Sequence, residues 1–329
     1  MNWSNYTIYK FLFWIVTLAI FLSRLIPEGM FLDGLTYASI ARNISEGSSN
    51  FWKLYYLKEF YEHPPLMMYI ESFVFRITGD TIYAERIYCF LTFIILMMSV
   101  YHLCRAILPY SISCYGHYII LGFFLLFPEI TWGLPNNLLD ITLSIFINYS
   151  IYFLLISHRV KKFQWYYLAL SILFFWLAFL TKGVVAGFIL LVPIWLIVLK
   201  FQNRTIFFQY FILWFCLSIP ILLYFLINEN AFNFWKEYFS YQVLRNIKST
   251  THHLTSEWKR LAIFLDLITR QFLIFYIVLG CTYLYLQYGK KRNYFIWLPE
   301  YTLLILIGFS SVFPFVLSAK QYTYYLIPS

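Results

Sequence analysis

Five charged residues spread along the chain have types suited to chemistry on a phosphate-bearing substrate: Asp33, Glu62, Asp140, Lys182 and Lys320. A carboxylate within reach of an acceptor proton is a general base. A fixed ammonium stabilises negative charge that grows on a leaving group. Asp33 precedes Tyr37 by one helical turn, so the two share a face if this stretch is a helix. The plainer reading makes Asp33 the cap of that helix, with Thr36 where a full capping box would carry Glu or Gln. In Glu62-His63-Pro64-Pro65 the residue before proline is driven to an extended conformation. An acid and an imidazole held there suit a metal or a phosphate, or simply form a solvated turn entering the next helix.

Asp140 follows Pro135-Asn136-Asn137-Leu138-Leu139 and opens an apolar run. A charge at membrane depth is costly and faces a partner or a watery cavity, although a first-turn Asp also suits the helix dipole. Glu129, behind Pro128, reads as a loop residue. Lys182 is the only charged residue between Lys162 and Lys200, and is either a cation for a lipid phosphate or a snorkelling lysine at a helix end. Lys320, followed by Tyr322, Tyr324 and Tyr325, has the same two readings. His252-His253 offers a metal ligand or plain surface. Asp266 and Arg270, one turn apart, fit a helical ion pair.

The elements that must position these groups are membrane spans. Hydrophobic residues make up 61% of the chain and charged ones 12%, against roughly a quarter charged in a soluble domain. Apolar runs long enough for a ~30 Å hydrocarbon layer recur throughout. The fold expected is all-α and polytopic, a single domain over 1–329, with nine spans near 9–26, 82–103, 115–128, 138–156, 165–181, 184–199, 206–227, 261–286 and 295–318. The first follows Lys10 with no small-residue cleavage site after it, so it reads as a retained span. The third is short and bounded by Pro128, which suits a broken or re-entrant segment. The fifth and sixth are joined only by Thr181-Lys182-Gly183, a tight hairpin.

Charge fixes the expected orientation. With the N-terminus inside, the inner loops hold Lys10, Arg105, Arg159, Lys161, Lys162, Lys200, Arg204, Lys290, Lys291 and Arg292, faced only by Glu300. The first outer segment to Arg86 holds eight acids against five cations. This is the positive-inside pattern, and it accounts for the +9 net charge without a nucleic-acid partner. None of the five cysteines falls in an outer loop, so no disulfide framework is implied. Two outer segments, 27–80 and 228–260, are long enough to fold. The first contains two stretches too polar to span, Asp33–Glu46 and Pro65–Thr78, which read as interfacial helices. No internal repeat and no glycine-rich phosphate loop is present in the sequence.

Asp33-x-x-x-Tyr37, Glu62-His63-Pro64-Pro65-Leu66, Asn137-Leu138-Leu139-Asp140, Leu180-Thr181-Lys182-Gly183 and Lys320 with Tyr325-Leu326-Ile327-Pro328 give the chain a family likeness. It resembles the polyprenyl-phosphate-dependent glycosyltransferases of the GT-C fold, in the branch of bacterial aminoarabinose transferases and protein mannosyltransferase-like enzymes. The resemblance implies an inverting transfer of a sugar from a polyprenyl-phosphate donor to a lipid, glycan or protein acceptor, on the external face of a bacterial inner membrane. It implies Asp33 as the catalytic carboxylate and Asp140 as a second acid. Lys182, Lys320 and His63 would contact the donor phosphate, and Tyr37, Tyr324 and Tyr325 would line the cavity. A divalent metal, held by Glu62 with His252 or His253, is the one cofactor considered. Many members carry an acid directly after the first-loop Asp, or a basic residue just before the Tyr, where this chain has Gly34 and Thr36. Members usually continue for several more spans beyond the Lys–Tyr–Pro stretch. Two other classes fit a polytopic chain: a transporter or flippase, which predicts broken helix pairs and internal symmetry, and a nonenzymatic relative of the family.

Overall fold

A computed structural model of the chain describes residues 3–26, 30–107, 114–200, 204–244 and 299–317, with the single positions 262, 265, 269 and 327. In chain order the helices are α1 (Trp3–Leu25), α2 (Leu32–Ser45), α3 (Leu66–Thr78), α4 (Tyr83–Ile107), α5 (Cys114–Leu125), α6 (Pro128–Gly133), α7 (Leu139–Arg159), α8 (Gln164–Lys182), α9 (Val192–Val198), α10 (Arg204–Ile227), α11 (Glu229–Glu237) and α12 (Pro299–Leu317). A two-residue ribbon, β1 (Tyr55–Tyr56) with β2 (Lys58–Glu59), lies between α2 and α3.

Five helical stretches among the described residues are long and apolar enough to cross a bilayer: Thr7–Leu25, Tyr83–Ile107, Leu139–Arg159, Gln164–Val198 and Thr205–Ile227. The protein is an integral membrane protein. The stretch expected to be the third span is instead α5, of 12 residues, followed by α6 with Pro128 as its first residue. Twelve residues rise only ~18 Å, and Pro128, lacking an N–H, starts a new helix rather than extending the old one. The fifth and sixth expected spans occupy one helical stretch broken at Lys182 and Gly183. Gly183 has φ 65°, and a 3-10 segment to Leu191 leads into α9. The expected span 261–286 lies outside the described residues apart from three positions, and 245–260 of the second outer segment lies outside them altogether.

α7 is the centre of the bundle and packs along α4 and α8. Ser150 on α7 and Ser171 on α8 each donate to the other's carbonyl at 2.8 Å. Small side chains let two backbones approach this closely, and in hydrocarbon such bonds satisfy groups that water cannot. α1 and α10 keep most of their apolar side chains exposed, as lipid-facing helices do.

Residues 30–80, expected to be external, are pinned to this bundle. α2 packs on α3, and α3 on α4 and α8. Trp52 donates from Nε1 to Tyr224 Oη at 3.1 Å and sits among Phe225, Phe234 and Trp235. The start of α2 corrects one expectation. Phe31, extended, is the residue before the helix, and no side chain caps it; Asp33 lies inside the first turn. There a carboxylate is favoured by the helix dipole.

Candidate active site

The N-termini of α2 and α7 and the C-terminus of α8 converge. Each presents one charged residue for a local reason: Asp33 and Asp140 sit in first turns, where the helix dipole favours anions, and Lys182 in a last turn, where it favours a cation. Lys182 Nζ lies 2.5 Å from Asp140 Oδ1, and both side chains are buried. Asp33 is half-buried and close enough for its charge to act on Asp140. Two carboxylates and one ammonium therefore share one electrostatic environment, although 107 residues separate Asp33 from Asp140 and 42 separate Asp140 from Lys182.

One turn along α2, the buried Tyr37 ring meets the His63 imidazole edge-on, with centroids 5.8 Å apart. His63, held just ahead of Pro64, is half-buried and also faces Phe60. Glu62 is exposed. The Lys182–Gly183 break is fixed from outside α8: Tyr238 donates from its hydroxyl to the Lys182 carbonyl at 3.3 Å and accepts from Val184 N–H at 3.4 Å. Burial pushes the Tyr238 phenol up to about 12, so it remains a donor at neutral pH.

Two residues with weak sequence signals belong to this region. Asn137, buried with φ 54°, donates from Nδ2 to Glu71 Oε1 at 2.8 Å and to the Gly34 carbonyl at 3.4 Å. Glu71 is fully buried, and burial raises its carboxyl to about 8. The signal for Glu71 was a single acid inside an otherwise apolar stretch of α3; nothing local announced its partner. Gly34 has a steric reason: a Cβ there would come within 2.2 Å of the Asn136 carbonyl oxygen. A side chain of any size has no room here without a shift of that turn.

Of the other expected site residues, Lys320, Tyr324, Tyr325, His252 and His253 lie outside the described residues. Ile327, from the same stretch as Tyr325, packs with Leu138 and Ile141 at the head of α7. Among the described residues no three His, Cys, Asp or Glu side chains gather as metal ligands.

A sequence model of the dolichyl-phosphate-mannose-protein mannosyltransferase family matches residues 62–228. The fold is similar to that of ArnT from Cupriavidus metallidurans bound to undecaprenyl phosphate, with a TM-score of 0.69 and 16% identity over 98% of this chain and 58% of that one. The apo state of the same ArnT gives 0.67 and 16%, over 98% and 57%. The chain thus spans a little over half the length of these structures. No curated protein matches it in sequence.

Proposed function

The chain belongs to the dolichyl-phosphate-mannose-protein mannosyltransferase family, and on that premise we propose that it is a membrane glycosyltransferase. It takes a sugar from a polyprenyl-phosphate donor and passes it to a lipid, glycan or protein acceptor. The reaction runs on the external face of a bacterial inner membrane, with the N-terminus in the cytoplasm. What supports this reading most is the convergence of Asp33, Asp140 and Lys182 from three helices.

The donor is already activated, because a lipid phosphate is a competent leaving group. Asp33 takes the proton of the acceptor hydroxyl or amine as that atom attacks the anomeric carbon. The bond from carbon to the phosphate oxygen breaks on the opposite side, inverting the centre and releasing the lipid monophosphate. An ammonium has three donors, so Lys182 can keep Asp140 and still offer an N–H to the phosphate. Asp140 fixes the direction of that cation, and preorganised charge of this kind stabilises the transition state. Lys320 and His63 are the further phosphate contacts, and Tyr37, Tyr324 and Tyr325 line the path of the sugar. A divalent ion would be held by Glu62 with His252 or His253 and would supply Lewis-acid stabilisation of the phosphate.

The test is purified chain in lipid nanodiscs with undecaprenyl-phosphate sugars and a mixed pool of acceptors, following the release of undecaprenyl phosphate. Release that depends on Asp33 supports the reading. Absence of release across pentose, hexose and aminosugar donors overturns it.

A further inference from the structure

The contacts of one buried amide tie together the segments that carry the proposed chemistry. Asn137 stands three residues before Asp140, in a left-handed conformation at φ 54°, which Asn tolerates better than most residues. Its Nδ2 donates to Glu71 Oε1 on α3, and to the carbonyl of Gly34, the neighbour of Asp33 on α2. The Cys89 thiol of α4 donates to the Pro135 carbonyl at 3.9 Å and steadies the same turn. The entry to α7 is thereby held against α2, α3 and α4.

Two atoms of this cluster, Glu71 Oε2 and Asn137 Oδ1, are buried without a hydrogen-bond partner. With Glu71 ionised both are acceptors, and neither can serve the other. A buried polar group left unpaired is costly. A proton on Oε2 turns one acceptor into a donor, and Asn137 Oδ1 is its natural mate: acid and amide then each give and take one bond. We propose that Glu71, as a neutral acid, and Asn137 form a clamp that positions Asp33 and Asp140 for sugar transfer. Burial favours the same protonation state, raising the carboxyl to about 8. The groups around Glu71 are consistent with it. α4 presents Glu85, Tyr88 and Cys89, α2 carries Asp33 beside Gly34, and the Lys182 of α8 is engaged by Asp140. Glu71 is a positioning residue, and its kinetic consequence rests on the transferase reading; its protonation does not.

Two measurements on the full chain separate these. Infrared spectra of the parent at mildly acidic pH should show a protonated carboxyl band that is missing from Glu71→Gln and bleaches as pH rises through about 8. Absence of that band overturns the clamp whatever the enzyme does. In transfer assays Glu71→Gln, which keeps one donor and one acceptor, should hold kcat within about threefold. Glu71→Leu should lower kcat about a hundredfold with KM little changed, the scale of an ångström misplacement of reacting groups. Asn137→Ala should lower it similarly, and adding it to Glu71→Leu should cost little more. Parent activity should fall as pH passes about 8, whereas Glu71→Gln stays active. Glu71→Gln as slow as Glu71→Leu at neutral pH overturns the proposal. The band with no transfer by the parent would remove the transferase reading and leave the neutral acid–amide pair standing.

Discussion

Lys182 Nζ and Asp140 Oδ1 lie 2.5 Å apart in a site where the two side chains are 5% and 4% exposed. Removing one partner strands the other as a buried charge, a loss of roughly 3–5 kcal/mol, whereas replacing both by neutral groups of similar size is much milder. Lys182→Met should therefore lower the unfolding temperature markedly, and Asp140→Leu in the same chain should restore much of it. Binding of undecaprenyl phosphate should stay weak in both variants, because the ammonium is gone from each. Full binding by Lys182→Met would mean that the lysine serves Asp140 and not a phosphate.

Gly34 is buried with its Cα facing the Asn136 carbonyl oxygen, which a Cβ would approach to 2.2 Å. Gly34→Ala should cost about 1–3 kcal/mol as overpacking and push α2 away from the head of α7. Asp33 moves with it, so transfer should fall more steeply than stability. Thermal unfolding beside kcat for the one variant checks this; an unchanged kcat would show that the two segments need not be in register.

The break after α8 makes a similar prediction from backbone geometry. Gly183 has φ 65°, and a Cβ there would meet the Tyr238 hydroxyl at 2.1 Å. Alanine at a positive φ is destabilising by itself, commonly by more than ~1 kcal/mol, and here the side chain has nowhere to go. Gly183→Ala should be less stable than the parent by more than Tyr238→Phe, whose lost hydrogen bonds amount to about 1 kcal/mol. Denaturation of the two variants in the same detergent decides the order.

What the sequence made legible was local. The polar interruptions of α2 and α3 marked them as too hydrophilic to span, and Gly47, with φ 82°, directly follows Glu46, the expected end of the first stretch. Asp33 and Tyr37 fall on one helix by spacing alone. Of the two readings open for Asp33, the cap does not hold, because the chain enters α2 through an extended Phe31 and Asp33 falls in the first turn. α5 had the hydropathy of a span and lacked its length. The Asp140–Lys182 pair and the Asn137–Glu71 bond depend on how α7 packs against α8 and α3, which no periodicity within one segment encodes. Glu71 in particular carried only the sign that an acid was out of place.

Orientation can be read without any activity. Ser48, just past α2, and Lys162, between α7 and α8, are both exposed. On the proposed topology a cysteine at position 48 reacts with an impermeant maleimide in intact cells, and one at position 162 reacts only after permeabilisation. Cys216 is exposed as well, so the scan belongs in a background where it is replaced by alanine. The reverse pattern would place the convergence of α2, α7 and α8 on the cytoplasmic side and remove the external reaction face.

Asp33→Asn tests the central role most directly. The isostere keeps the side chain's shape in the first turn of α2 and removes its basicity. Losing a general base lowers rates by about 10²–10⁴, so single-turnover transfer should fall by that range while undecaprenyl phosphate binds nearly as before. The structural cost should be small: Asp33 lies in the first turn rather than at the N-cap, and losing its interaction with the helix dipole amounts to about 0.3–1 kcal/mol. A variant that folds, binds lipid phosphate and fails to transfer therefore isolates the chemical step. Asp33 acts on Asp140 through its charge, and neutralising it leaves the Asp140–Lys182 pair in place to hold the phosphate. Transfer at the parent's rate would reduce Asp33 to a dipole-stabilising residue and move the search for the base to another carboxylate.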